Sequence, residues 1–390
     1  MTRKPATLTD PRPTAERPAL TEVVSALTPL REEVLANLAM LAQIPAPTRG
    51  ESQRTRYLLD RLVAAGLSEA SSDAAGNAIG FLPGKTGLRT VMLVAHLGTP
   101  ICHTTEQEVV VEADRIVGHG VADNSLGAAV MSMVPCCLKE LGIALDSNLQ
   151  LVGSVRSLKR DQNEGLRYVL DHAERPSDFG LVLEGIRQGR LNTFTTGTVR
   201  ADIICNVTGR GGNALIALNR IIDRLLSIAM PTRPFTKIRL GQIKAGKSYH
   251  VEPDSGELGL EVLSDSSEEL DRIVGEIEEI VAESTASTGI ETRLDCIFRR
   301  GPGGIPFAHP LVKSVVDVMS QLDIQPTQDD RPSELSEFVA AGIPAVTLGI
   351  TDGETRLRQP DFVMIEPILT GVAQIIGVLL EIDRGACDEH

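Results

Sequence analysis

The sequence predicts an α/β protein: a mainly parallel sheet wrapped by helices on both faces, with a smaller α+β module inserted into it. Apolar runs such as Val91-Met92-Leu93-Val94-Ala95 and residues 149–155 and 179–184 alternate with segments of helical periodicity, the pattern of strands joined by crossover helices. After Leu191 the order changes to strand, helix, strand, strand, helix, strand. At 390 residues the chain is also longer than one ordinary core supports, which favours two domains.

The elements follow in order. Apolar residues recur at helical spacing from Leu20 to Leu41 (Val23, Val24, Leu27, Leu30, Val34, Leu38), and a second helix, 52–65, follows the break at Ile44-Pro45-Ala46-Pro47. Residues 77–81 and 90–95 read as strands, 125–141 as an alanine- and methionine-rich helix, 149–155 as a strand, 164–172 as a helix and 179–184 as a strand. The inserted module takes in strand 195–208, helix 214–228, strands 237–243 and 257–263 and helix 267–287, and closes on 291–298. Helix 310–322, strand 345–348 after Gly342-Ile343-Pro344, and helix 367–382 resume the α/β pattern. The expected division is a Pro-rich flexible arm at 1–19, an α/β domain from 20–193 and 290–390, and the insertion at 194–289.

Bulk properties narrow the function. A formal charge of −14 argues against nucleic acid or an anionic membrane as the main partner, because either needs a basic face. No tryptophan and 3% aromatics leave no stacking platform for sugars or bases. No apolar signal core and no membrane-spanning run are expected, and six cysteines without a CxxC pair favour a reducing compartment, with the cytoplasm as default.

The chemistry gathers between Val91 and Asp123. A buried run ends on His96-Leu97-Gly98-Thr99-Pro100, and Gly118-His119-Gly120-Val121-Ala122-Asp123-Asn124-Ser125 delivers a carboxylate just before a helix. His96 and Asp123 can therefore meet at one crevice as metal ligands. The plainer readings are a strand-end histidine bonded to backbone and a helix-capping aspartate, and Glu184, at a strand end before Gly185, is equally two-sided.

Four strings in this order resemble the M20 family of zinc peptidases and deacylases, particularly its aminopeptidase T-like branch: 95–100 (Ala-His-Leu-Gly-Thr-Pro), 120–124 (Gly-Val-Ala-Asp-Asn), 241–246 leading to Val251-Glu252-Pro253, and 341–349 (Ala-Gly-Ile-Pro-Ala-Val-Thr-Leu-Gly). The resemblance implies a zinc-peptidase-like α/β/α sandwich with an inserted α+β lid and dimerisation domain. It also implies two zinc ions bridged by an aspartate, a glutamate as general base, and a homodimer. Carried over, His96 and Glu184 become ligands of the first metal and Asp123 the bridge.

Other positions depart from the family. Gly98 replaces the aspartate of His-x-Asp, Arg156-Ser157 replace the Glu-Glu pair holding the general base, and residues 351–359 contain no histidine for the last ligand. Gly211-Gly212 runs straight into Asn213, without the family's lid histidine, Leu263 stands where a substrate-clamping arginine is expected, and His250 replaces an asparagine.

Arg156, at the general-base position, cannot take a proton at neutral pH, but its guanidinium could neutralise Asp123 and Glu184 as a metal would. Lys159, Arg160, Arg356 and Arg358 could add positive charge. Two functions follow. One is an M20-like protein without two-zinc hydrolysis that binds a peptide-like or acidic small ligand through Arg156 and His250, or acts in assembly. The other is a single-metal hydrolase, peptidase or amidohydrolase, with one zinc on His96, Asp123 and Glu184. The cofactor expectation is accordingly one zinc ion or none.

Overall fold

The computed structural model describes residues 19–67, 69–100, 108–157, 162–208, 211–329, 331–356 and 360–389. The expected N-terminal arm, and Lys159, Arg160, Leu357 and Arg358, lie outside the described residues.

The first domain begins with helices α1 (Leu20–Ala26), α2 (Arg31–Gln43) and α3 (Ser52–Ala64). The single helix expected from Leu20 to Leu41 is divided by a tight turn over Thr28–Leu30, where Pro29 cannot continue an α-helical ladder. Strands β1 (Glu69–Ser72), β2 (Ala78–Leu82) and β3 (Thr90–His96) follow, then β4 (Val109–Val111), β5 (Arg115–Gly118), helix α4 (Leu126–Glu140), β6 (Asn148–Ser154), α5 (Glu164–Asp171), β7 (Phe179–Ile186), β8 (Leu191–Asn192) and β9 (Phe194–Thr195).

The smaller domain holds β10 (Gly197–Asn206), α6 (Ala214–Leu226), β11 (Thr236–Ala245), β12 (Ser255–Ser264), α7 (Ser267–Thr288) and β13 (Glu291–Arg300). Its sheet has the order β11-β12-β10-β13, all antiparallel, with α6 and α7 packed on it over a separate apolar core. Because β13 pairs along the whole of β10, this sheet runs to Arg300, past the boundary expected at residue 289. Asn213, after Gly211-Gly212, caps α6 by accepting from the amides of Leu215 and Ile216.

The chain then returns through β14 (Gly303–Gly304), α8 (Pro310–Gln321), α9 (Leu335–Ala340), β15 (Ala345–Thr351), β16 (Gly353–Glu354), β17 (Asp361–Met364) and α10 (Ile368–Asp383). The large sheet has the order β1-β2-β6-β3-β7-β15-β8. Its middle four strands, β6, β3, β7 and β15, run parallel, and both flanks are antiparallel.

Strand alternation sorts the two faces. On β3, Val91, Leu93 and Ala95 join the core made with α2, α4 and α10, whereas Met92 and Val94 join the core under α5 and α9. Val152 on β6 and Val182 on β7 also lie on the second face. Two residues further along each strand, that periodicity carries Ser154, His96 and Glu184 to the same face at neighbouring carboxyl ends.

Val121–Glu140 is long and apolar enough to span a membrane, contrary to the expectation that no segment reaches that length, but 89% of the relevant window is buried inside the protein. It is the central core helix.

The last residue of β13 ties the smaller domain to the larger. Arg300 Nη2 lies 2.8 Å from Glu337 Oε2 on α9, Arg167 Nε of α5 lies 3.2 Å from the same oxygen, and both guanidiniums flank the Phe298 ring. Glu337 is 2% exposed, so its charge depends on these two partners. Replacing it, Glu337→Ala, separates the arginines from their shared anion. The expected result is a loss of about 3 kcal/mol in chemical denaturation, with faster proteolysis at the junction between the domains.

Candidate active-site centre

The centre is built where the four parallel strands end. His96 closes β3 and is 7% exposed; its Nδ1 lies 3.0 Å from the Gly98 carbonyl, which fixes the ring. Gly98, in the place of the family's aspartate, thus supplies a backbone acceptor of the kind that orients metal-binding histidines. Ser154, opposite His96 across the β3–β6 pairing, donates to Glu334 Oε1 at 3.4 Å and lies 3.1 Å from Ser157 Oγ.

Asp123 sits in a wide helical turn, Val121–Ser125, that leads into α4 after Gly120 in a left-handed conformation. Asp361 Oδ2 accepts from the Gly120 amide at 2.9 Å, Ser125 Oγ donates to the Gly120 carbonyl, and Asn124 Nδ2 donates to the Leu183 carbonyl at 3.0 Å. The turn presses so closely on β7 that a Cβ on Gly127 would meet Asn124 Oδ1 at 2.0 Å and the Leu183 carbonyl oxygen at 2.7 Å, so only glycine fits. Packing therefore holds Asp123 beside Glu184. The residue keeps some exposure, but its Oδ2 has none and no hydrogen-bond partner.

Glu184, 8% exposed, faces Arg190, whose Nη1 is 3.7 Å from its Oε1. Arg190 is 1% exposed, and its Nη2 donates to the Arg331 carbonyl at 2.7 Å. Glu334, 1% exposed, stands at the start of α9, and its Oε2 has no partner. Arg54, 2% exposed, donates to the carbonyls of Ile44 at 2.9 Å and Leu97 at 3.1 Å, within the field of Asp123 and Glu51.

These groups perturb one another strongly. Burial alone would lower the pKa of His96, yet Asp123, Glu334 and Glu184 outweigh it and raise the value to about 9. Burial raises Glu184 to about 7 against the pull of Arg190 and His96, and burial likewise raises Asp123. Burial lowers Arg54 to about 10, so it keeps its proton at neutral pH. Arg54, Arg190 and His96 are thus the cationic groups set among the carboxyl groups of Asp123, Glu184 and Glu334.

The structure brings His96, Asp123 and Glu184 into one electrostatic neighbourhood. Among the described residues no three His, Cys, Asp or Glu side chains are arranged to hold a metal ion. The donor types suit zinc, but Glu184 faces a guanidinium, so the residues as placed do not fit the two-zinc centre that the family resemblance implies.

Arg156 is not the cation of this crevice. Strand alternation would aim it like Ser154, but β6 has ended and Arg156 adopts a left-handed conformation, φ 55°, with its Nη1 2.7 Å from Glu164. Arg356 pairs with Glu354. His250 lies exposed in the turn between β11 and β12 of the smaller domain.

Sequence reasoning missed Arg54, Arg190 and Glu334. Arg54 carried a signal, since it lies in helical step with Leu58 and Leu62, both fully buried, and so belongs to the inward stripe of α3. Arg190 and Glu334 carried none, because one forms an isolated bridge with Thr327 just past a turn and the other precedes a six-residue helix.

No family model matches this sequence, and no curated protein matches it either. Solved structures do match. The chain resembles the aminopeptidase PepT of Bacillus cereus over 90% of its own length and 98% of that chain, with a TM-score of 0.72 and 17% identity. A tripeptidase of Staphylococcus aureus matches 91% of this chain and 98% of its own, with a TM-score of 0.74 and 19% identity. The YxeP protein of Bacillus subtilis, described as a dinuclear metal-binding peptidase of the M20 family, matches 91% and 98%, with a TM-score of 0.65 and 14% identity. The chain therefore has the M20 peptidase fold.

The Arg190–Glu184 contact has a measurable consequence. Arg190→Ala leaves Glu184 buried without its guanidinium and is expected to cost ~3–5 kcal/mol in urea denaturation. Adding Glu184→Gln to that variant recovers part of the loss, because the uncompensated charge is then gone.

Proposed function

We propose that this protein uses an M20 peptidase fold to bind a peptide-like or acidic small ligand, or to act in assembly, without the family's two-zinc hydrolysis. The observation that carries this reading is the Arg190 guanidinium beside Glu184, in the place where a carboxylate would otherwise face a metal. Arg54 and protonated His96 complete the balance. No base replaces the family's glutamate at position 156, since an arginine there cannot accept a proton at neutral pH. Peptide recognition is supported by the fold shared with structures described as an aminopeptidase and a tripeptidase.

One observation favours the second reading, a single-metal hydrolase on His96, Asp123 and Glu184. Asp123 Oδ2 and Glu334 Oε2 are buried without partners, and such oxygens are completed by a cation or by donors of a ligand. Metal analysis of the purified protein, together with hydrolysis assays on di- and tripeptides and N-acyl amino acids, separates the two. The first reading expects substoichiometric zinc and turnover at the background rate; one zinc per chain, lost in His96→Ala, with chelator-sensitive hydrolysis would replace it by the second.

The reading includes a homodimer through the smaller domain. Leu215, Ile216 and Ile243 are each about half exposed around a groove of about 360 Å³ beside β11, an edge strand of its sheet. A second copy laid on this face would cover the apolar side chains and the open strand edge together. Light scattering is expected to give twice the 41.8 kDa chain mass, and Ile216→Asp to give the monomer mass. A monomeric unsubstituted protein at micromolar concentration would rule this dimer out.

A further inference from the structure

After α10 the chain turns back toward the amino ends of the large sheet, opposite the buried centre. Gly385, at φ 80°, reverses it: its amide donates to the Ile382 carbonyl at 3.0 Å, and the Ala386 amide donates to the Glu381 carbonyl at 3.1 Å. The turn drops Cys387 into the core beside Ser314 of α8 and brings Asp388 to Arg89, just before β3, with Arg89 Nε 2.9 Å from its Oδ1. Glu389 then reaches His309. This region plays no part in the function proposed above, and the inference drawn from it does not depend on that reading.

His309 is held from two sides. It precedes α8, whose first residue, Pro310, has no amide hydrogen, so Leu311 offers the first N–H that the helix leaves without an internal acceptor. That N–H donates to His309 Nδ1 at 3.0 Å, while Nε2 lies 3.3 Å from Glu389 Oε1. A backbone amide can only donate, so Nδ1 must be the bare nitrogen, and the proton of the neutral ring sits on Nε2, facing the carboxylate. The ring thereby joins the start of α8 to the segment after α10, and the residue is only 4% exposed.

One proton undoes this arrangement. An imidazolium has no acceptor, and its Nδ1–H would point at the Leu311 N–H. Attraction to Glu389 offsets this weakly, because that side chain is 76% exposed and its charge is screened by water. The other charged groups around the segment are committed or turned outward: Arg89 pairs with Asp388, Arg384 with Glu381, Asp383 accepts from the amides of Asp146 and Ser147, and Lys313 of α8 is exposed. Burial outweighs the pull of Glu389 and holds the imidazole below its ordinary pKa. A group that takes its proton less readily when folded contributes stability above about pH 6.5 and loses it as the pH falls through the lower folded value.

We propose that His309 is an acid-sensitive latch: a proton on Nδ1 unseats the ring from the start of α8 and releases residues 386–389 from that helix.

Hydrogen exchange of the full-length protein at pH 7.5 and pH 5.0, corrected for the intrinsic effect of pH on exchange, tests the proposal. Protection of the Leu311, Ala386 and Asp388 amides is expected to fall about tenfold at the lower pH. His309→Asn keeps an acceptor for the Leu311 amide that does not titrate, so its protection is expected to be equal at the two pH values. Glu389→Gln leaves the ring able to take its proton and is expected to keep the fall. Thermal unfolding checks that both variants fold. Equal protection at both pH values in the unsubstituted protein, a fall that persists in folded His309→Asn, or one abolished by Glu389→Gln would overturn the proposal.

Discussion

Three carboxylates held out of water at the ends of adjacent strands cannot stay ionised without positive charge close by, and much of this molecule's local structure follows from that constraint. Asp123, Glu184 and Glu334 approach from a helical turn, a central strand and the start of a helix. Metal ions can meet such a demand, and the chain also places cationic side chains of its own here. Arg190 folds back beside Glu184 from the turn after β7, and Arg54 reaches inward from α3 between backbone carbonyls. His96 then carries the remaining proton because its anionic neighbours outweigh its burial.

Helix α9 links this centre to the rest of the molecule. Glu334 at its start receives the Ser154 hydroxyl, and Glu337 one turn later receives Arg300 from the smaller domain and Arg167 from α5. A short helix thus carries both the least exposed acid of the centre and the anchor of the inserted domain. A shift of that domain would load the same element that positions Glu334.

The fold was legible because its signals are periodic. Apolar runs mark β3, β6 and β7, the pleat of those strands puts His96, Ser154 and Glu184 on one face, and the largely apolar α4 and α10 cover the other. The order of four short strings pointed to the M20 architecture that the solved structures share. The charge pattern of the site was less legible, because it depends on where turns aim long side chains. Arg156 stood at the expected alignment position, yet one left-handed residue after the strand end sent its guanidinium to Glu164, while Arg190, in a turn with no periodic pattern, took the place beside Glu184. The element order of the inserted domain was legible, its closing strand at 291–298 included, but the boundary set at residue 289 left that strand, β13, outside the sheet it completes.

The central claim is that the centre is neutralised by its own side chains, with His96 as the third cation. Nitrogen-15 NMR of histidine-labelled protein, with His96→Gln to assign the resonance, reads that state directly. The account predicts an imidazolium with both ring nitrogens protonated at pH 7.5, losing its proton near pH 9 and unchanged by added zinc. A neutral His96 ring at pH 7.5, or one whose Nε2 resonance moves to a metal-bound position when zinc is added, would contradict it.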